Sequence, residues 1–235
     1  MEETAVFVKM TGKVTLFVTR HGKTMLNTTE RVQGWADSPL TAEGVLVAEQ
    51  LGRGLADTTF EALYTSDRGR TLETADIVMR HADFQLPVNQ LKGLREFGFG
   101  KFEGEYNLFM WETVSKRHGF PSVEAFFEVH KHDAPRVMID AVAEMDETGM
   151  AENWDIFTER LLQSLDLICE EHTEGHVLVI CHGMVINILL SLLAPNRVDG
   201  PIENASVTKI SYANGEYTVE SANDMQYVAR GIVKN

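Results

Sequence analysis

The sequence predicts an α/β fold: a three-layer α/β/α sandwich on a mostly parallel mixed sheet, with a helical cap inserted into it. Three observations carry this. Short apolar runs of strand length alternate with longer stretches of helical spacing, the order that puts helices on both faces of a parallel sheet. The tail reads as two alternating runs around Asn214-Gly215, the dipeptide that best marks a hairpin. Between these regions, a segment from Glu105 to about Asp155, rich in aromatic and charged residues, breaks the alternation with mixed helical patterning.

Taken in order, Val14–Thr19 is apolar and β-branched and ends at Arg20-His21-Gly22, so it reads as a buried strand opening into a loop. Ahead of it, Ala5–Met10 and the turn Thr11-Gly12 suggest an added strand and an N-terminal hairpin. Thr41 precedes Glu43 and Gly44, and Val45, Leu46, Ala48, Leu51 and Leu55 then recur at helical spacing, which predicts a capped helix over Thr41–Leu55. Ala62–Thr65 reads as a second strand, and Ser66-Asp67 is expected to cap the helix that follows to about Ala82. Leu86–Leu91 reads as a third strand. In the inserted segment, Trp111, Phe120, Phe126, Phe127 and Trp154 supply apolar anchors, and its length makes it a candidate lid. Trp154–Glu171 is amphipathic, with Ile156, Leu161, Leu162, Leu165 and Ile168 assigned to one face. Val177–Cys181 is an apolar strand and Met184–Ala194 an apolar helix. Ser206–Tyr212 and Tyr217–Glu220 are the arms of the tail hairpin.

A chain of 235 residues is long enough for one good hydrophobic core and leans toward one domain, 1–235, with the cap at about 105–155. Hydrophobic residues at 44% and charged residues at 24% exclude a disordered or fibrous chain. The net charge of −14 argues against nucleic acid and anionic lipid as partners, since both need a basic footprint. Cys169 and Cys181 form no CxxC pair and no disulfide framework. The acidic start, Met1-Glu2-Glu3-Thr4, lacks the regions of a signal peptide, and no apolar run reaches membrane-spanning length. A cytoplasmic enzyme is the expectation. The tail hairpin offers an edge strand on which a second copy of the chain can pair, which leaves a homodimer open.

In open α/β sheets ligands bind at the carboxyl ends of the strands. Two histidine-glycine pairs fall there independently, His21-Gly22 and His182-Gly183. A glycine after each histidine permits a sharp turn and close approach by a ligand. A helix starting near Gly183 is also expected to aim free N–H groups and its positive dipole end at the pocket. Arg20 precedes the first histidine, and Arg70 sits just inside the helix after the second strand. Two arginines and two histidines at strand ends suit a phosphoryl group, which needs fork-shaped donors and offsetting charge.

These residues carry a resemblance. Arg20-His21-Gly22-Lys23-Thr24 with Asn27 resembles the signature of the histidine phosphatase superfamily, the clan of phosphoglycerate mutase and its phosphatase relatives. Further segments resemble the family in order: Gln33-Gly34-Trp35-Ala36-Asp37-Ser38-Pro39-Leu40-Thr41 with Gly44, then Ser66-Asp67-Arg68-Gly69-Arg70-Thr71 with Thr74-Ala75. Leu94-Arg95-Glu96 with Gly100 and Glu103-Gly104 follows, then Cys181-His182-Gly183. The resemblance implies that His21 attacks phosphorus as a neutral imidazole and forms a phosphohistidine. Arg20, Arg70 and His182 would hold the non-bridging oxygens, and Asn27 would add a hydrogen bond. Gly183, Lys23 and Thr24 join the expected substrate-binding set, Lys23 either as positive charge at the rim or as a side chain that simply points to solvent. Glu96 would protonate the leaving oxygen and then activate water, which requires its pKa to lie above the ordinary value of about 4.3 or an acidic optimum. The mechanism implied needs no metal or other cofactor.

Departures from the family patterns favour its phosphatase branch. Gly183 follows the second histidine, where the acid-phosphatase and phytase branch has the aspartate that serves as its proton donor, so the resemblance to that branch fails here. Phe97-Gly98-Phe99-Gly100-Lys101-Phe102-Glu103-Gly104 looks like the phosphatase members rather than the mutases. Mutases also place paired arginines in the insertion for the substrate carboxylate, and Lys116-Arg117 lacks that context. The expected activity is therefore hydrolysis of a small phosphorylated metabolite. The alternatives are a phosphoglycerate mutase needing a bisphosphoglycerate primer, and a silent module that binds a phosphorylated ligand. Smaller candidates have plainer readings. His130-Lys131-His132-Asp133 reads as a solvated loop before a metal site, and Arg136 is a weak candidate for substrate contact. Cys181 reads as a small core residue rather than a nucleophile, and Trp35 as a staple of the first loop.

Overall fold

The computed structural model describes residues 12–130, 133–195 and 200–233. The N-terminal hairpin suggested at Ala5–Met10 and the pair Lys131-His132 lie outside the described residues. In chain order, strand β1 (Val14–Arg20) leads to a one-turn helix α1 (Met25–Thr28) and to α2 (Ala42–Leu55). Strand β2 (Ala62–Thr65), helix α3 (Gly69–Ala82) and the short β3 (Val88–Gln90) follow. The inserted segment forms α4 (Asn107–Arg117), α5 (Val123–Val129) and α6 (Ala134–Met145). Then come α7 (Trp154–Glu171), β4 (Gly175–Cys181), α8 (Gly183–Leu193), β5 (Val207–Ala213), β6 (Glu216–Asp224) and α9 (Gln226–Arg230).

The strands form one sheet in the order β3-β2-β4-β1-β5-β6. The β3-β2-β4-β1 part is parallel, and β5 and β6 add antiparallel at its end. Alternation along β1 shows why three layers result. Val14, Leu16 and Val18 face one core with Phe126, Ile139, Leu161 and Ile188, from α5 to α8. Phe17 faces the other core with Leu51, Leu55, Val78 and Tyr227, from α2, α3 and α9. A strand buried on both faces must read as a continuous apolar run, as β1 and β4 do. Helices α4 to α6 are anchored in the first of these cores through Met110, Val114, Phe126, Met138 and Ile139. Asn214 and Gly215 both adopt positive φ, 55° and 85°, the backbone of a tight two-residue hairpin turn. No helix among the described residues is long and apolar enough to cross a membrane.

Three expectations are corrected. Ser66-Asp67 does not cap α3: the N-cap is Arg68, without a side-chain cap bond, and the Gly69 N–H is taken by Asp37 from a distant loop at 2.5 Å. The buried stripe of α7 runs through Phe157, Leu161, Leu165 and Ile168, while Ile156 is 54% exposed. Ile156 precedes that stripe by one residue, a rotation of about 100° on a helix, which carries it off the apolar face. The third strand is only Val88–Gln90, at the sheet edge beside β2.

Candidate active site

The two histidine-glycine motifs meet because β1 and β4 are parallel neighbours. Arg20 lies opposite Cys181 in the ladder, and the His21 N–H donates to the Cys181 carbonyl at 3.1 Å. The next residues, His21 and His182, therefore sit side by side with ring centroids 5.3 Å apart. His21 Nδ1 lies 2.8 Å from the Gly22 carbonyl oxygen, an acceptor only, so Nδ1 carries the proton and Nε2 the lone pair. Arg70 Nε donates to that lone pair at 3.2 Å. Burial, with the charges of Arg70 and Arg20, holds the His21 pKa well below its ordinary value and keeps the ring neutral.

Arg70, 1% exposed, commits every N–H of its guanidinium to the protein. Besides Nε on His21, Nη1 donates to the Ala36 carbonyl at 2.9 Å and Asp37 Oδ1 at 3.0 Å. Nη2 donates to the Gly34 carbonyl at 2.8 Å and His182 Nδ1 at 2.9 Å. The loop that supplies those carbonyls is itself held by one carboxylate. Glu103 accepts the N–H groups of Gly34, Trp35 and Ala36 at 3.0, 2.7 and 2.9 Å. With Nδ1 of His182 accepting from Arg70, its Nε2 carries the proton and donates to Ser66 Oγ at 2.8 Å. Burial and then Arg70 hold the His182 pKa well below the ordinary value too.

Glu96 caps α8. Its Oε2 accepts the Met184 N–H at 2.9 Å, and Oε1 accepts those of Val185 and Phe97 at 3.2 and 3.0 Å. Of the N–H groups expected from the sequence to be free at this helix start, Glu96 takes those of Met184 and Val185. Burial raises the Glu96 pKa, against the pull of these N–H groups and of Arg70 and Arg20. Its loop is clamped from α7: Arg160 donates to the carbonyls of Gly93, Arg95 and Glu96 at 2.7, 2.8 and 2.9 Å and pairs with the buried Glu152. Trp35 Nε1 also donates to the Glu96 carbonyl, at 3.1 Å.

Arg20 Nη1 donates to the Ile202 carbonyl, while its Nε is buried without a partner among the described residues. A Cβ on Gly183 would stand 3.2 Å from that Nε, so the glycine leaves room for the guanidinium. Arg20, Glu96, Gly183 and Asn27 line one cavity of about 230 Å³ beside the buried histidine cluster.

A model of the histidine phosphatase superfamily (branch 1) matches residues 16–225. The chain belongs to that superfamily. It is 25% identical over 227 residues to a metal-independent phosphoserine phosphatase of Arabidopsis thaliana, covering 94% of this chain and 87% of the relative. A crystal structure described as phosphoglycerate mutase from Bacillus anthracis superposes with a TM-score of 0.89 at 47% identity, over 94% of this chain and 97% of that one. Bacillus stearothermophilus YhfR superposes with a TM-score of 0.71 at 30% identity, over 92% and 99%.

In this member of the superfamily, the structure brings together Arg20, His21, Arg70, Glu96 and His182, with Asn27 and Gly183 at the cavity. It takes Lys23 and Thr24 elsewhere. The Lys23 ammonium pairs with Glu43 of α2 at 2.7 Å. Thr24 caps α1: its buried hydroxyl accepts the Asn27 N–H and donates to Gln33 Oε1 at 2.6 Å. Asn27 Oδ1 returns to the Thr24 N–H at 3.2 Å, which fixes its side chain at the cavity edge. Arg136 is exposed beside Asp140, and His130 Nδ1 contacts Asp133 at 3.3 Å. The Cys181 thiol is fully buried and burial pushes its pKa up. Asp37, Glu103, Glu152 and Arg160 were not singled out from sequence, and Ser66 was singled out only as a helix cap. Asp37, Ser66 and Glu103 lie inside quoted motifs, yet only the fold shows which backbone or ring each one holds.

Proposed function

We propose that the protein is a phosphomonoesterase that hydrolyses a small phosphorylated metabolite through a phosphohistidine on His21. One observation carries this reading: a neutral imidazole whose Nε2 lone pair is fixed by the Nδ1 bond to Gly22, with Arg70 on that same nitrogen and Arg20 on the adjoining cavity. In the first step Nε2 attacks phosphorus and the ester P–O bond breaks. Glu96, whose pKa burial raises, gives a proton to the leaving oxygen. In the second step the Glu96 carboxylate takes a proton from water as the water oxygen attacks phosphorus, and phosphate leaves with His21 restored. Arg20 and Arg70 offset the charge on the equatorial oxygens, a term that is large where water is excluded.

A second reading is phosphoglycerate mutase, favoured by the description of the 47%-identical Bacillus anthracis structure. Against it, Lys116 pairs with Glu112, Arg117 is exposed, and neither lines the cavity. Of the inserted segment, Asn107 reaches that lining. The test is phosphate release from phosphorylated metabolites and p-nitrophenyl phosphate, with chelator present and His21→Ala as control. Release that survives chelator and vanishes in the variant is expected. Interconversion of phosphoglycerates that needs a bisphosphoglycerate primer, without net release, would favour the mutase; neither activity would leave a phosphate-binding module.

A further inference from the structure

The cavity holds a second unsatisfied guanidinium. Arginines elsewhere, among them Arg53, Arg80, Arg95 and Arg160, sit against carboxylates. Arg20 and Arg31, both on the cavity, make no ion pair among the described residues, in a chain with 35 acidic against 21 basic residues. Arg31 is held in place without being neutralised. Its Nη1 donates to the Gly104 carbonyl at 2.7 Å, and its Cζ stacks 4.1 Å from the Tyr106 ring centroid. Its Nε and Nη2 make no hydrogen bond among the described residues. Asn107, next to Tyr106, and Asn187, one turn along α8 from Gly183, line the same cavity. Asn187 Oδ1 is buried with no hydrogen-bond partner among the described residues. An unpaired buried acceptor costs free energy unless a ligand group meets it.

We propose that Arg31, with Asn107 and Asn187, forms a subsite for a second anionic group on the substrate, distinct from the phosphoryl group held by Arg20 and Arg70. It rests on the phosphatase reading and names the substrate class: phosphomonoesters of small polar alcohols that carry a carboxylate or a second phosphate. Arg31 supplies the charge and the free edge of its fork, and Asn187 Oδ1 accepts from a neighbouring hydroxyl or ammonium on the same alcohol. The stack on Tyr106 sets the guanidinium plane before substrate arrives, so little ordering is left to binding.

The experiment compares kcat/KM for matched pairs, phosphoglycolate with ethyl phosphate and propane-1,3-diol bisphosphate with propyl phosphate. The first pair reads a carboxylate and the second a phosphate. The wild-type ratio of anionic to neutral partner is expected to be about tenfold to a hundredfold in at least one pair, the range of a charged hydrogen bond. Arg31→Gln should bring that ratio close to one, and Arg31→Lys should keep part of it. Asn187→Asp, which leaves the Gly104 and Tyr106 contacts of Arg31 in place, should lower it by repulsion. Because the readout is a ratio, a general loss of activity does not imitate the result. A wild-type ratio near one in both pairs, or a ratio unchanged in Arg31→Gln and Asn187→Asp, overturns the subsite. If no ester is hydrolysed, the phosphatase reading fails on its own. Calorimetric binding of phosphonoacetate against ethylphosphonate to wild type and Arg31→Gln then decides the subsite by the same ratio.

Discussion

Arg160 Nη2 donates to the backbone carbonyl of Glu96 at 2.9 Å, so an arginine on α7 holds the residue proposed as proton donor without touching its carboxyl group. The same guanidinium takes two further carbonyls of that loop and both oxygens of Glu152. Arg160→Met should strand Glu152, 5% exposed, without its counter-ion. Loss of one partner of a buried pair costs about 3–5 kcal/mol, so denaturant unfolding should shift strongly. Turnover of alkyl phosphates should fall more than that of p-nitrophenyl phosphate, whose leaving group needs no proton. An equal fall for both would separate Arg160 from the acid step.

The pH dependence follows from two opposite shifts. The lowered His21 pKa keeps the nucleophile neutral as pH falls through its ordinary value of about 6.5. The raised Glu96 pKa keeps the donor protonated above the ordinary glutamate value and loses that proton as pH rises further. With an alkyl phosphate, kcat/KM should therefore show no loss near pH 6.5 from His21 and should decline on the alkaline side through Glu96, once the substrate's own ionisation near about 6 is allowed for. Glu96→Gln should lower the rate by about a hundredfold or more and remove the alkaline decline. A decline that persists in Glu96→Gln would assign it to another group.

Ser66 holds the proton-bearing Nε2 of His182, which leaves Nδ1 for Arg70. Ser66→Ala should free the ring to turn while the sheet stays intact. A turnover loss of about tenfold to a hundredfold is expected, the scale of a small misplacement in a site of this kind. Nitrogen NMR of the His182 ring should show the tautomers mixing in the variant; a single retained Nε2–H tautomer would assign its orientation to Arg70 alone.

Gly34 lies where the first loop crosses the loop of Glu96. A Cβ there would come within 2.0 Å of the Phe97 carbonyl oxygen and 2.4 Å of Glu103 Oε1. Gly34→Ala must move backbone on both sides, and overpacking of this kind costs about 1–3 kcal/mol. Thermal unfolding should show the loss. Activity should fall with it, because the Gly34 carbonyl anchors Arg70. An unchanged melting temperature would mean that the two loops separate readily.

The strands that place the histidines were legible in the sequence because they are buried on both faces: β1 and β4 are nearly unbroken apolar runs that stop at His21 and His182. Helix α2 was legible from its Thr41 cap, which accepts the Gly44 N–H at 3.1 Å. What stayed hidden were pairings between distant segments. Nothing local in the sequence marks Asp37 as the acceptor of the Gly69 N–H at the start of α3, or Glu103 as the holder of Gly34–Ala36. Lys23 shows the reverse case, a charge two residues from the histidine in sequence whose ammonium goes to Glu43. Sequence proximity places a backbone at a site, whereas the side chain goes to whichever partner satisfies it.

The saturation of Arg70 has a consequence for turnover. Two of its donors rest on the lone pairs of His21 and His182, so in the proposed reaction the nucleophile is masked by the group that would serve the phosphoryl oxygens. An arriving phosphoryl group would exchange for the imidazoles at Arg70, and the exchange itself would unmask His21. Since this trade is one acceptor for another, what Arg70 gains on binding comes from charge rather than from added hydrogen bonds. On the proposed hydrolysis, the imidazoles would be in place to take the donors back as inorganic phosphate departs, which would ease the release of a product that carries the same group as the substrate.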